Sequence, residues 1–452
     1  MQDEVQGRGG FLFNVNLVFL SQIAIYAFAF GLRVALARGL GDAGLGTFAL
    51  FFVAILVAGG VANLGVGLGN IYFLNKGTYT YRLLLSNSLA VLLWASLAGW
   101  VFLALWAAAF GPELFVSGYA YWLYGAALPA VVAYTLLTSF LHGSSRFVAL
   151  TVVAVSQGML AFGSVGVLWA AGELDVSRAV AAWTVSFAIA DIICLALVGV
   201  SRIDPGIVFK PRWDALNAQV RYGVQGQAAN MAALFNYRLD QFLVAAFVSR
   251  AGVGHYTVAV GLGESVWWIS SAVALVLLPR LTAMEDEDAQ EVTPLVARNT
   301  LLISALAAVG VIVVAPVAIQ VLFGSEFYPE ALLPLVLLMP GIVAASATRV
   351  LGSYLFSRGR IIYNTYATFI ALGVTIALDL ALIPLMEVNG AALASSIAYV
   401  CALAATVYWY TRASGRSAAE ALVWRPADRA HYARIANRLR GKSSKPVSTL
   451  DP

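Results

Sequence analysis

Seven charged side chains stand inside stretches that are otherwise apolar: Arg33, Asp191, Arg238, Asp240, Glu264, Arg349 and Asp379. A charge at the centre of a bilayer costs about 2.5–3.5 kcal/mol on insertion scales, so each must face a wet cavity or pair with a partner. An arginine so placed either neutralises an acid or offers its forked N–H donors to an anion. Glu264, followed by Trp267 and Trp268, could carry a proton between aromatic rings or serve as the partner of Arg238 or Arg349. Asp191 and Asp379 have few polar neighbours and read as structural pairing residues. The segment from Gln225 to Gln241 is the most polar of the apolar stretches. At about 100° per residue, Gln225, Asn236 and Asp240 share one flank of a helix, and Gln227, Asn230, Arg238 and Gln241 share another. Such a helix lines a cavity on one side and bonds a neighbour on the other. Arg238 is the expected cavity residue and Asp240 the expected local partner, although the pattern alone leaves the two flanks interchangeable.

The elements that must position these residues are transmembrane helices. Of 452 residues 61% are hydrophobic and 11% charged, with a mean hydropathy of +0.84, against about a quarter charged in a soluble domain. The apolar runs exceed the roughly 20 residues that cross a bilayer. Continuous apolar runs also exclude a barrel, whose strands alternate. The chain reads as an all-α polytopic membrane protein with about twelve spans. Six lie between residues 11 and 200, six between 220 and 411. The acidic start Met1-Gln2-Asp3-Glu4 is unlike a secretory signal, so the first run is expected to be a retained helix. Cys194 and Cys401 read as packing residues. His142, His255 and His431 lack ligand spacing, so no metal or other cofactor is implied. No phosphate-binding G-x-x-x-x-G-K-S/T loop is present.

The halves echo each other. Ala43-Gly44-Leu45-Gly46-Thr47-Phe48-Ala49-Leu50 returns as Ala251-Gly252-Val253-Gly254-His255-Tyr256-Thr257-Val258, and Ser139-Phe140-Leu141 before Arg146 returns as Ser353-Tyr354-Leu355 before Arg360. An internal repeat of membrane-spanning halves is the pattern of a transporter with a central site. The division expected is a six-helix lobe over residues 1–200, a linker over 201–217, a second lobe over 218–411 and a basic tail over 412–452. Short loops on the side of the termini carry most of the arginines and lysines, which makes that side cytoplasmic. The tail, with Trp424, Arg434, Arg438 and Arg440, fits an interfacial helix or a positive segment that fixes topology. Asn63 lies among Gly59, Gly60, Gly65, Gly67 and Gly69, glycines that allow close helix approach.

The order Asn236-Tyr237-Arg238-Leu239-Asp240, Gly252-Val253-Gly254-His255-Tyr256, Glu264, Leu278-Pro279-Arg280-Leu281 resembles the second-half signature of the Wzx-type polysaccharide flippases, in the multidrug/oligosaccharidyl-lipid/polysaccharide exporter superfamily. Asn63-Leu64-Gly65 and Asn389-Gly390-Ala391-Ala392 extend the likeness over nearly all of the chain before the tail. The resemblance implies a V-shaped arrangement of two six-helix lobes around a cavity lined by basic residues, a role that falls on Arg33, Arg238 and Arg349. It implies a flippase that moves a lipid-linked oligosaccharide, commonly on undecaprenyl diphosphate, from the cytoplasmic to the outer leaflet of the cell membrane by alternating access. Arginines would hold phosphate, and Asn63, Gln227 and Asn236 would hold sugar. Glu264 and Asp240 are the candidates for coupling to H+ or Na+, which would make the protein an antiporter. Membrane lipids are obligatory partners, a polysaccharide polymerase and glycosyltransferases are plausible ones, and nothing points to nucleic acid. Arg33 sits near the outer end of its helix, and Asp240 and Glu264 offset positive charge, both departures from a purely basic cavity. Rival readings are a multidrug or cation exporter of the same superfamily, which would use Glu264, Asp240 and the tryptophans, and a non-transporting scaffold of a glycan-synthesis complex. An enzyme is the weakest reading, since short outer loops leave no site.

Overall fold

The computed structural model describes residues 2–110, 120–198 and 210–423, with side chains from residue 20 to 105 in the first of these segments. Residues 201–209 of the expected linker, Trp424, Arg434, Arg438 and Arg440 lie outside the described residues. Within them the chain forms helices and no strand: α1 (Gln2–Ala62), α2 (Val66–Lys76), α3 (Tyr81–Phe110), α4 (Ala120–Gly143), α5 (Phe147–Ala170), α6 (Val176–Val198), α7 (Trp213–Phe247), α8 (Arg250–Glu264), α9 (Trp267–Ala283), α10 (Asp286–Ala318), α11 (Leu332–Ser357), α12 (Ile361–Ser414) and the short α13 (Ala418–Leu422). Eight are long and apolar enough to cross a membrane, and α8 with α9, bent by 44°, makes a ninth candidate among the described residues. On α10, Leu306, Val309, Val313 and Val317 recur every three or four residues and are all exposed, as a lipid-facing stripe must be.

Two of the long helices are hairpins of two spans each. Gly41 breaks α1 at φ 71°, and Glu387 breaks α12 at φ 54°. Glycine has no β-carbon to clash in that region of backbone space. Reversal at Gly41 follows from the cavity that Ala29 and Val53 line together, residues equally far from the break. In α12, Thr375 and Ser395 both reach α7 from opposite sides of the break. These hairpins, with α7, whose polar content hides it from a hydropathy criterion, bring the architecture to the two-lobed, twelve-span form expected.

The lobes meet at two reciprocal glycine crossings. A β-carbon on Gly46 would stand 1.8 Å from the Arg250 carbonyl oxygen, and one on Gly254 would stand 2.1 Å from that of Asp42. Gly46 and Gly254 occupy the same place in the two copies of the eight-residue echo, so the repeats pack against one another about a local two-fold. Beside them His255 lies 3.3 Å from Asp42, and Arg38 reaches from the first lobe to the carbonyl of Leu322 at 3.0 Å, filling acceptors left open at a helix end. Toward the other face, Gly65 and Gly223 form the second crossing: a β-carbon on Gly223 would stand 1.9 Å from the Gly65 oxygen. A buried amide network seals it. Gln219 donates to Asn70 at 2.7 Å, Asn87 donates to Gln219 at 2.7 Å, and Asn70 donates to Ser88 and Ser139 at 2.9 and 3.0 Å. Asn70, Asn87 and Gln219 have no exposed surface. Each amide is satisfied, so the network holds the lobes together without a buried unpaired group.

Candidate functional site

Between the crossings, arginines from both lobes converge on one carboxylate. Arg238 of α7 lies 2.9 Å from one oxygen of Glu264 at the end of α8, and Arg33 of α1 lies 3.8 Å from the other. The side chains of Arg33, Arg238 and Glu264 keep 24%, 19% and 19% of their surface, enough to reach water or a ligand but not bulk solvent. Arg33 fits only because residue 261 is glycine: a β-carbon there would stand 1.8 Å from its guanidinium. Two guanidiniums and one carboxylate leave the site one positive charge, and Arg33 feels both the attraction of Glu264 and the repulsion of Arg238. The site opens on a cavity of about 130 Å³, with Gln241 and Thr257 as its polar rim and Leu32, Phe48, Phe52 and Trp183 as its apolar wall. Trp183 is fixed edge-on against Phe51 and Phe52 at 5.5 and 5.7 Å. Such a site accepts an anion against an apolar body.

Arg349 does not join them. It lies on α11, where it donates to Ser270 at 3.1 Å and sits over the Trp267 ring at 4.4 Å. Trp267 itself packs on Tyr237 and Tyr399, and its indole donates to the Ile342 carbonyl. Tyr399 is in turn an electrostatic neighbour of Glu264 and Arg238, so this aromatic group borders both Arg349 and the Glu264 site. Glu264 therefore takes Arg33 and Arg238 as partners, and Arg349 has no acid within ion-pair distance among the described residues.

The two flanks of α7 separate as the helical period requires. Arg238 and Gln241 face the cavity, whereas Asn236 and Asp240 turn into their own lobe. Asn236 accepts from Thr375 at 2.7 Å, and Asp240 accepts from Ser395 at 3.1 Å and from the Tyr256 hydroxyl. Asp379, with no exposed surface, is an electrostatic neighbour of Asp240, and neither of its oxygens has a hydrogen-bond partner among the described residues. The pairing expected for Asp191 and Asp379 is absent: neither has a basic partner among the described residues, where Arg33 and Arg238 meet Glu264 and Arg349 meets Trp267. Gln227 spans the lobes, donating to the Gly60 carbonyl at 2.8 Å, and Asn63 accepts from the Gly67 N–H at 3.1 Å, capping α2. Both line a separate polar cavity of about 220 Å³ with Thr135 and Asn230.

Sequence reasoning missed Gly261, Ser270, Tyr256, Thr375 and Ser395. None is unusual in a membrane helix, and only the pairing of helices reveals what each touches. Asn87 carried a signal, standing between Ser86 and Ser88 in an apolar span.

A family model described as polysaccharide biosynthesis protein matches residues 35–331, the span that holds both glycine crossings, Arg238 and Glu264. The chain belongs to this polysaccharide biosynthesis protein family. The matched span begins just after Arg33, and the resemblance read from the sequence holds at the level of the family. No curated protein matches the chain. Its fold is similar to an inward-facing multidrug resistance MATE family transporter of the MOP superfamily (TM-score 0.67, 14% identity, 86% of this chain and 94% of that one). It is similar to the lipid II flippase MurJ in an inward closed conformation (TM-score 0.68, 12% identity, 88% and 87%). A third likeness is to a MOP superfamily transporter from Pyrococcus furiosus (TM-score 0.53, 13% identity, 88% and 95%). At these identities the likeness establishes the fold of a multi-pass membrane protein.

Proposed function

We propose that this member of the polysaccharide biosynthesis family is a flippase that moves a lipid-linked oligosaccharide, with undecaprenyl diphosphate as the carrier, from the cytoplasmic to the outer leaflet. The observation that carries the reading is the convergence of Arg33 and Arg238, from opposite lobes, on one glutamate, leaving a net positive charge between the lobes. Crossing about 30 Å of hydrocarbon requires that a diphosphate find donors to replace its water. The arginine pair supplies forked donors, the Asn63–Gln227 cavity supplies uncharged partners for sugars, and the prenyl chain stays in lipid. Alternating access would work by separating one glycine crossing while the other stays shut. The lobes in this scheme are residues 1–200 and 218–411, joined through 201–217, with the 412–452 tail and both termini on the cytoplasmic side of the cell membrane.

For coupling, the geometry favours Asp240 over Glu264, since Glu264 is already occupied by two guanidiniums. Asp240 and Asp379 bring two buried carboxylates together in one lobe, with the Tyr256 and Ser395 hydroxyls on Asp240, an arrangement that takes up H+ or Na+ to offset its charge. Export of organic cations is disfavoured on the same ground, because a carboxylate bracketed by two guanidiniums is a poor receptor for a cation. The test is flipping of a short prenyl-diphosphate oligosaccharide in liposomes, with and without H+ and Na+ gradients. Arg238→Ala should lose transport while remaining monodisperse; full transport by that variant would remove the arginine pair from the mechanism.

A further inference from the structure

The internal repeat extends to the cavities. The polar cavity against α4 and a second one against α11 are lined by equivalent positions: Thr135 by its counterpart Arg349, Ser139 by Ser353, and His142 by Phe356, all at the offset that relates Ser139-Phe140-Leu141 to Ser353-Tyr354-Leu355. Both hollows lie toward the face that carries the α4–α5 and α11–α12 turns, the one at Thr135 closed in part by Gln227 and Asn230 of α7. The first lobe fills the key position with a neutral threonine. The fold therefore places no demand for charge there, yet the second lobe bears the cost of an arginine within the membrane.

That arginine has the features of a receptor. It uses one donor on Ser270 and its face on Trp267, has no acid beside it among the described residues, and opens on a cavity of about 300 Å³. A single water needs only about 10–15 Å³ of such space, so the hollow admits a much larger group. Thr406 lines the same cavity; it keeps 1% of its surface, and its hydroxyl is buried with no partner among the described residues. An unspent guanidinium and an unspent hydroxyl in one hollow are complementary to a tetrahedral oxyanion.

We infer that the Arg349 cavity is a second phosphate-binding subsite, separate from the Arg33–Arg238–Glu264 site, with the Trp267 aromatic group bordering both. It takes the diphosphate of a prenyl lipid before that group passes the indole to the arginine pair. The inference rests on the proposed transport of a lipid-linked diphosphate and assigns that transport a first station on the side of the termini.

The test is titration of the purified full-length protein in nanodiscs with farnesyl diphosphate, followed by calorimetry and by the Trp267 contribution to fluorescence, taken as the difference from Trp267→Phe. A charge-assisted hydrogen bond contributes about 1.5–3 kcal/mol, so Arg349→Gln should weaken binding by about 10- to 150-fold. It should also abolish the Trp267 response, while a variant carrying Arg33→Gln and Arg238→Gln keeps that response. Arg349→Lys, which retains the charge, should keep part of the affinity; it and Thr406→Val serve if Arg349→Gln does not stay monodisperse. Inorganic pyrophosphate or phosphatidylglycerol competing as well as farnesyl diphosphate would support the subsite and assign it to a free anion or a membrane lipid. Unchanged affinity and Trp267 emission in Arg349→Gln would overturn the subsite, and would leave the flippase reading intact if the double arginine variant has lost binding. Absence of binding in the parent protein would overturn both.

Discussion

Replacing Gly254 by alanine should open the central cavity on the side of the α1 turn and leave the opposite side shut. The new β-carbon would stand 2.1 Å from the Asp42 carbonyl oxygen and 3.1 Å from its α-carbon. Both obstacles are main chain, so no side chain can rotate away. Contacting heavy atoms settle roughly 3.5 Å apart, which requires α1 and α8 to separate by about 1 Å or more. Overpacking of this kind costs about 1–3 kcal/mol. Since the strain exists only while the crossing is closed, the closed-to-open ratio at that end should shift by roughly 5- to 150-fold. The assay places a single cysteine at Thr257, which lines the cavity, after Cys194 and Cys401 are changed to serine. Labelling by a membrane-impermeant maleimide is then timed from each side of the membrane. From the side of the α1 turn Gly254→Ala should label faster by that factor. Gly223→Ala, whose β-carbon meets the Gly65 oxygen at 1.9 Å, should accelerate labelling from the other side only. If neither alanine changes the rate, or both open the same side, the idea that the crossings close opposite ends of one cavity is wrong.

Two other variants probe the arginine site. Gly261→Ala puts a β-carbon 1.8 Å from the Arg33 guanidinium and should cut transport about as much as Arg33→Ala, with thermal stability little changed; transport at the parent rate would show that the position of Arg33 is immaterial. Glu264→Gln removes the shared carboxylate and leaves two guanidiniums unneutralised. Loss of one member of a buried pair costs about 3–5 kcal/mol, so the melting temperature in detergent should fall unless farnesyl diphosphate is added, and a melting temperature indifferent to both changes would refute the shared ion pair.

Much of the site's inventory is visible in the residues, because charge inside an apolar run is conspicuous and must be accounted for. Arg33, Arg238 and Glu264 stand out on that ground alone, and the 100° period correctly divides α7 into two polar flanks. Their partners are not visible. Glu264 had two candidate arginines by sequence and in the structure holds a different pair, Arg33 with Arg238, while Arg349 turns to Ser270 and Trp267. Asp191 and Asp379 looked like pairing residues, yet among the described residues no basic side chain pairs with them.

Composition and periodicity by themselves determined that this is a helical membrane protein, that it repeats, and which side chains needed shelter from lipid. Hydrophobic burial acts on each span separately, so one-dimensional patterning is enough to specify it. Only the tertiary structure decided that Gly46 and Gly254, alike in sequence, are also in contact, that the arginines divide between two cavities, and that the lobes close at both ends. Those outcomes depend on how helices far apart in the chain cross. Crossing is set by close approach of backbones and the fit of side chains across the gap, quantities that no single helix encodes.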